Sequence, residues 1–332
     1  MTSASRINCG PNPHARAPDT LMIAPSSNAA TAARARMPTF IVIGAARSGT
    51  TALYTYLRQH PKVFMSRNKE TNFFAFEGQA LDFQGPGAEF VNNSIASLEA
   101  YQALFADAPE DAAVGEASPL YLFSPEAPAR IRARLPQVRL IAILRNPIEQ
   151  AYSHYLYARK EMIEPLADFL AALDAEGERR AARWQPLFQY SEFARYNVQL
   201  RRYFEHFSRD QIKLFLYEDF DANPQAVTQE IFRFIGVDAT FAPDVSYRAN
   251  PGGIPRSPLL QSIVMRPNVA SRFIGALLPQ ETRRRVRDRI ARANTKRDEM
   301  PAAARERMRE EWRDDIRDLQ TLIGRDLSSW LA

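Results

Sequence analysis

Residues 38 to 61, "PTFIVIGAARSGTTALYTYLRQHP", constrain the fold of this chain more than any other stretch. Phe40, Ile41, Val42 and Ile43 run without a polar interruption, the pattern of a strand covered on both faces. Gly44 and Gly49 then bracket a turn that carries Arg47, Ser48, Thr50 and Thr51. Leu53, Tyr54 and Leu57 follow at helical spacing, and His60-Pro61 closes the helix. A strand that enters a glycine turn and leaves as a helix points several backbone N–H groups, and the positive end of the helix dipole, at one place, and that place binds anions.

The turn departs from an ATP-binding loop. The pattern G-x-x-x-x-G-K-[ST] matches Gly44, Gly49 and Thr51, but Thr50 stands at the lysine position and the cation has moved to Arg47. A nucleotidase also needs an acid at the end of an apolar strand to hold its metal. "VRLIAILR" ends in Arg145, whereas "IKLFLYED" reads as a strand ending in Glu218-Asp219, which keeps a P-loop kinase or NTPase open as an alternative.

These two runs, with the first, alternate with segments of helical periodicity, so the expected class is α/β: a P-loop-like central parallel β-sheet flanked by helices. Asn146-Pro147 is a helix start, with Asn as cap and Pro at the first helical position. Phe193, Asn197, Leu200, Phe204 and Phe207 fall near helical spacing. So do Met308, Trp312, Ile316, Leu319 and Ile323, ahead of a stop at Gly324; both stripes read as core.

Composition sets the limits. At 332 residues and 45% hydrophobic the chain can bury a large core. Residues 1–36, rich in Ala, Ser, Pro and Asn, read as a disordered tail, and 37–332 as one domain with a helical C-terminal portion. Met37, immediately before the first strand, is a second candidate start of translation. No apolar run is long enough for a membrane span or a signal peptide, and the lone Cys9 excludes internal disulfides and thiolate metal clusters, which together lead to a cytoplasmic expectation. The four histidines, His14, His60, His154 and His206, are dispersed, so no metal is expected. His60 reads as helix termination, and His154 as packed or solvated. The arginine run from Arg283 is a solvated helix face or an anchor for an anionic partner; the second option leaves open a non-catalytic polyanion-binding protein.

Four stretches in order, "RSGTT", "KETNFF", "RNPIEQAYSHY" and the late "LIGRDLSSWL", resemble the sulfotransferases that use 3′-phosphoadenosine 5′-phosphosulfate (PAPS), and most closely the heparan sulfate N- and O-sulfotransferase branch with its bacterial relatives. The resemblance implies transfer of a sulfuryl group from PAPS to a hydroxyl or amine, with adenosine 3′,5′-bisphosphate as product and no metal. The implied acceptor is a carbohydrate, with a lipid or small natural product second, and no nucleic acid. It assigns the 5′-phosphosulfate to Arg47, Ser48, Gly49, Thr50 and Thr51, and the 3′-phosphate to Arg145 and Ser153, with Arg256 in "NPGGIPRSP" as a further contact. It makes Glu70 the general base and Arg47 a catalytic cation where the family usually has lysine.

Arginine neutralises charge on a leaving phosphate but is a poor proton donor. The heparan-type enzymes also carry a lysine after the glutamate in the segment resembling "VGEASPLYLF", where this chain has Ala117; Lys69 is a possible substitute cation and could steer an anionic ligand. Read from the residues alone, Glu70 could be a surface acid beside Lys69, Arg145 could pair with a carboxylate, Ser153 could bond back to a helix carbonyl, and the Arg256 loop could be an ordinary turn. Phe73 and Phe74 are expected to wall the pocket, and residues 75–95 and 160–190 to meet the acceptor.

Overall fold

The computed structural model describes residues 36–247 and 298–332, together with 254–255, 257 and 295–296. Arg256, residues 1–35 and most of the arginine run from Arg283 lie outside them. Five parallel strands form the central sheet: β1 (Phe40–Gly44), β2 (Val63–Met65), β3 (Ala113–Ala117), β4 (Arg139–Leu144) and β5 (Ile212–Leu216), in the order β2-β3-β1-β4-β5. Phe40 sits opposite Gly115 on one side and Arg139 on the other, and Leu140 to Leu144 run beside Ile212 to Leu216.

Both faces of the sheet are buried, which is why β1 and β4 read as unbroken apolar runs. Ile41, Ile43, Leu140, Ala142 and Leu144 belong to one core, and Phe40, Val42, Ile141 and Ile143 to the other. The second core is filled by α1 (Thr50–Leu57) and α7 (Pro224–Ile235). The first takes in α2 (Phe73–Phe76), α3 (Leu120–Phe123), α4 (Pro147–Lys160), α5 (Tyr196–His206) and the long α8 (Ala302–Ile323). Met308, Trp312, Ile316 and Leu319 of α8 are buried, and Gly324, at φ 65°, ends that helix as expected. Among the described residues no helix is long and apolar enough to cross a membrane.

Three sequence expectations need correction, and two strands were not expected. β2 and β3 are strands that periodicity does not reveal. The apolar run "IKLFLYED" stops being a strand at Leu216, because α6 (Tyr217–Ala222) begins with Tyr217 and carries Glu218 and Asp219. The stripe from Phe193 to Phe207 is broken: Phe193 closes a short helix, Tyr190–Phe193, and α5 starts again at Tyr196. Phe73 and Phe74 do not wall the cleft but are fully buried, Phe73 stacked on Tyr101 with ring centroids 4.3 Å apart.

The sheet order determines where a ligand can sit. The chain leaves β1 toward the β2-β3 side and later crosses to β4, so the connections at the C-terminal end of β1 part in opposite directions and leave a crevice. The turn 45–49 after β1, the segment 66–72 after β2, Ser118-Pro119 after β3, Arg145 after β4 and Tyr217 after β5 all lie at that end.

Candidate active site

A cleft of about 1300 Å³ opens at this end of the sheet, and its wall includes Arg47, Gly49, Thr50, Thr51, Glu70, Arg145 and Ser153. Seven residues from three separated stretches of sequence therefore face one space. Ser48 is the exception: it is fully buried, its N–H donates to the Ala45 carbonyl at 3.3 Å, and its hydroxyl approaches the Ala46 carbonyl at 3.4 Å. Arg256 lies outside the described residues.

The turn is shaped by close contacts. A Cβ on Gly49, at φ 86°, would sit 2.8 Å from the Phe220 ring in a backbone region that only glycine enters freely, and a Cβ on Gly44 would sit 2.7 Å from Leu122. The Gln150 side chain in α4 donates to the Ala46 carbonyl at 3.1 Å and holds the turn from the side. Among the described residues no side chain caps the N-terminus of α1, where Gly49 stands at the cap position. The first N–H groups of the helix are therefore left for an outside acceptor, where the helix dipole is positive.

Two guanidiniums stand over this turn. Arg47 is half-buried at φ 62°, with its guanidinium carbon 4.7 Å from the centre of the Tyr157 ring. Arg145 lies 5.0 Å from the centre of the Tyr217 ring and donates to the Arg47 carbonyl at 3.2 Å. Among the described residues neither is in an ion pair with an acid, and Arg47 Nε is buried without a hydrogen-bond partner. Burial holds Arg47 below the usual arginine range, and the positive charge of Arg145 adds to the effect. An arginine does not release its proton in response, so both side chains stay cationic. Ser153, two turns into α4, opens on the same cleft, and α4 itself starts as expected, with the Asn146 side chain accepting from Ile148 N at 3.0 Å.

Glu70 is exposed, paired with Lys69, and held at φ 64° by its N–H, which donates to the Ala117 carbonyl at 2.9 Å. Lys69 is thus engaged with the acid beside it. A non-glycine residue at positive φ is uncommon; Arg47, Glu70 and Asn72 share that conformation and the cleft wall. The strain is sustained by a buried cage next to Glu70. Glu116 in β3 is fully buried and accepts from Tyr101 at 2.6 Å, Thr71 at 2.7 Å, and Tyr121 and Ser118 at 2.9 Å each. Burial raises its carboxyl, and the four hydroxyls pull it back. Thr71 and Asn72, whose N–H donates to the Ser118 hydroxyl at 3.2 Å, are fixed by this cage, and with them the direction of Glu70.

His154 is packed, in line with the sequence expectation, but it also reaches the cleft. Its ring is buried and lines the cleft, edge-on to Phe193 at 4.8 Å, and Nδ1 has no partner among the described residues. Burial first, and the charge of Arg47 second, push it down to about 3, so the ring is neutral at ordinary pH. Its place one residue after Ser153 was a weak signal. His60, by contrast, is a buried structural group: Lys62 N donates to its Nδ1 at 3.0 Å.

The acids that kept a nucleotidase open are engaged elsewhere. Trp330 Nε1 donates to Glu218 at 3.0 Å, and Arg325 pairs with Asp219 at 2.8 Å.

Comparison with known proteins agrees with this geometry. Residues 38–241 match the family pattern described as Sulfotransferase family. A crystal structure of a sulfotransferase from Alicyclobacillus acidocaldarius is 30% identical with a TM-score of 0.70, covering 90% of this chain and 100% of that one. The human bifunctional heparan sulfate N-deacetylase/N-sulfotransferase 2 is 26% identical over 208 residues, 61% of this chain and 22% of that protein. The corresponding protein 1 of Caenorhabditis briggsae is 26% identical over 205 residues, 60% of this chain and 22% of its own length. The chain thus spans about a fifth of the length of these curated relatives. With the parallel sheet, the uncapped turn and the match over residues 38–241, the chain belongs to the sulfotransferase family and is a sulfotransferase enzyme.

Proposed function

We propose that this enzyme moves a sulfuryl group from PAPS to a hydroxyl or amine of an acceptor, a carbohydrate by analogy with the heparan sulfate relatives. The observation that carries the donor reading is the pair of guanidiniums without acid partners among the described residues, Arg47 and Arg145, one on the turn after β1 and one at the end of β4. A donor with a phosphosulfate at one end and a 3′-phosphate at the other needs two such cationic places.

In this reading the first N–H groups of α1, with Thr50, Thr51 and Arg47, hold the phosphosulfate, while Arg145 and Ser153 hold the 3′-phosphate. Ser48 contributes by shaping the turn, since its hydroxyl is directed inward. The acceptor oxygen or nitrogen attacks sulfur in line with the bridging oxygen, and its proton passes to the Glu70 carboxylate. The sulfur–oxygen bond to the 5′-phosphate breaks, and its electron pair stays on that phosphate, beside Arg47 and the α1 dipole. Stabilising charge as it develops is the largest contribution such a site makes. Arg47 fits that role as a fixed cation that keeps its proton. Protonation of the leaving group is not required when that group is already a phosphate anion.

A positioned general base contributes about 10²- to 10⁴-fold. Glu70→Gln is expected to lose that much kcat while binding adenosine 3′,5′-bisphosphate as wild type does, measured by labelled-PAPS turnover and calorimetry. Normal turnover by the variant would remove Glu70 from the mechanism.

A further inference from the structure

The two ends of the cleft differ in chemistry. The donor end is built by the turn, Arg145, Tyr217 and Phe220, which contact one another directly. The other end is built around Glu70 by the segment 87–95, which is tied to it through backbone and side chain: Ile95 N donates to the Thr71 carbonyl at 2.9 Å, and the Asn72 amide donates to the Ser94 hydroxyl at 3.0 Å. On that segment Phe90 and Val91 face the cleft, with Leu187 beside them, and Phe90 is 47% exposed. Phe90, Val91 and Leu187 give this end of the cleft an apolar wall, the kind of lining that holds the apolar part of a ligand in a concave site.

Charge separates the candidate acceptors further. Of the guanidiniums on the cleft wall, Arg305 is held by Glu149 at 2.6 Å, and the other two, Arg47 and Arg145, serve the donor. Asp298 and Glu299 also line the cleft, held beside Tyr152 of α4. Among the described residues no guanidinium or ammonium without an acid partner is left at the acceptor end, because Lys69 is paired with Glu70. A polyanionic glycan would meet, among the described residues, only the Lys69–Glu70 pair there, with no cation left to complement its charge.

We propose that the acceptor is an uncharged alcohol joined to an apolar alkyl or aryl body: the hydroxyl reaches Glu70 and the body lies on Phe90, Val91 and Leu187. This rests on the reading that Arg47 and Arg145 bind the donor. The cleft has room for it, since about 1300 Å³ exceeds the roughly 300–1000 Å³ of a site for one small ligand. The hydroxyl oxygen bonds to sulfur, its proton goes to Glu70, and the products are a sulfate monoester and adenosine 3′,5′-bisphosphate.

The test uses the full chain, PAPS and three acceptors: octyl β-glucoside below its micellar concentration, methyl β-glucoside, and a heparosan oligosaccharide bearing its glucuronates. Octyl glucoside is expected to show kcat/KM at least roughly tenfold above methyl glucoside, because several methylenes leave water on binding. Phe90→Ala, at an exposed position, should raise KM for octyl glucoside by a larger factor than KM for methyl glucoside, narrowing the ratio between the two. Equal use of the two glucosides, preference for the oligosaccharide, or turnover of none would overturn the proposal. Adenosine 3′,5′-bisphosphate binding, measured in parallel, separates these failures from failure of the donor reading: if binding is retained, only the acceptor class is wrong.

Discussion

Replacing Arg145 by alanine isolates one end of the proposed donor site. The guanidinium is half-buried, stacked near Tyr217 and without an ion-pair partner among the described residues. A phosphate binding there displaces no competing carboxylate and finds the side chain already held by its bond to the Arg47 carbonyl. A hydrogen bond to a charged group contributes about 1.5–3 kcal/mol net, so Arg145→Ala should weaken adenosine 3′,5′-bisphosphate roughly 10- to 150-fold. Partial exposure places the effect toward the lower end as salt rises. The control is adenosine 5′-phosphate, which has no 3′-phosphate and should bind the variant and the wild type alike. Calorimetric titration of both nucleotides into both proteins closes the cycle. Equal weakening of the two nucleotides would refute the assignment, because it would mean that Arg145 supports the turn or the base and not the 3′-phosphate.

Two further outcomes follow from buried groups. His154 is held down to about 3 in the folded chain, whereas a histidine in the unfolded chain titrates near 6.5; the unfolded state therefore takes the proton first, and the contribution of this residue to stability is intact above about pH 6.5 and is lost as the pH falls toward 3, by about 2 kcal/mol between pH 6.5 and 5. Glu176, pushed up to about 7 by burial, acts in the opposite sense over the same window. The readout is therefore the difference in denaturant midpoint between wild type and His154→Phe, which should shift in favour of the variant as the pH drops; a constant difference from pH 7 to 5 would contradict it. Arg179 and Glu164 form a buried pair with two contacts of 2.8 Å, and Tyr190 also donates to Glu164 at 2.7 Å. Arg179→Ala leaves the carboxylate uncompensated and should cost about 3–5 kcal/mol in chemical denaturation, with Arg179→Met/Glu164→Gln recovering much of it; a loss below about 1 kcal/mol would show the pair to be solvated.

What the sequence revealed depended on how local the cause was. β1, its turn and α1 are legible because the apolar run, Gly49 and the helical spacing are adjacent in the chain. α4 is legible from Asn146-Pro147, and the end of α8 from Gly324, for the same reason. β3 is not. A central strand "AVGEA" with an acid in it looks like a loop until Tyr101, Thr71, Ser118 and Tyr121 are known to surround Glu116. Gly115 is needed there because the Phe40 ring stands 2.2 Å from where a Cβ would be. The change from strand to helix at Tyr217 was hidden for a similar reason, since Glu218 and Asp219 find their partners in Trp330 and Arg325, more than a hundred residues away. Nearness in sequence to Glu70 suggests a cleft position for Phe73 and Phe74, but the left-handed residues Glu70 and Asn72 turn the chain so that the acid faces out and the two rings face in.

The central claim is that the turn after β1 and Arg145 after β4 bind the two ends of one adenosine donor. Titration of the intact chain with adenosine 3′,5′-bisphosphate and with ATP, each with and without Mg²⁺, tests it most directly. The account predicts that the bisphosphate binds more tightly than ATP and that magnesium makes no difference to it. Tighter, magnesium-dependent binding of ATP would contradict the account and return the site to a nucleotide hydrolase or kinase.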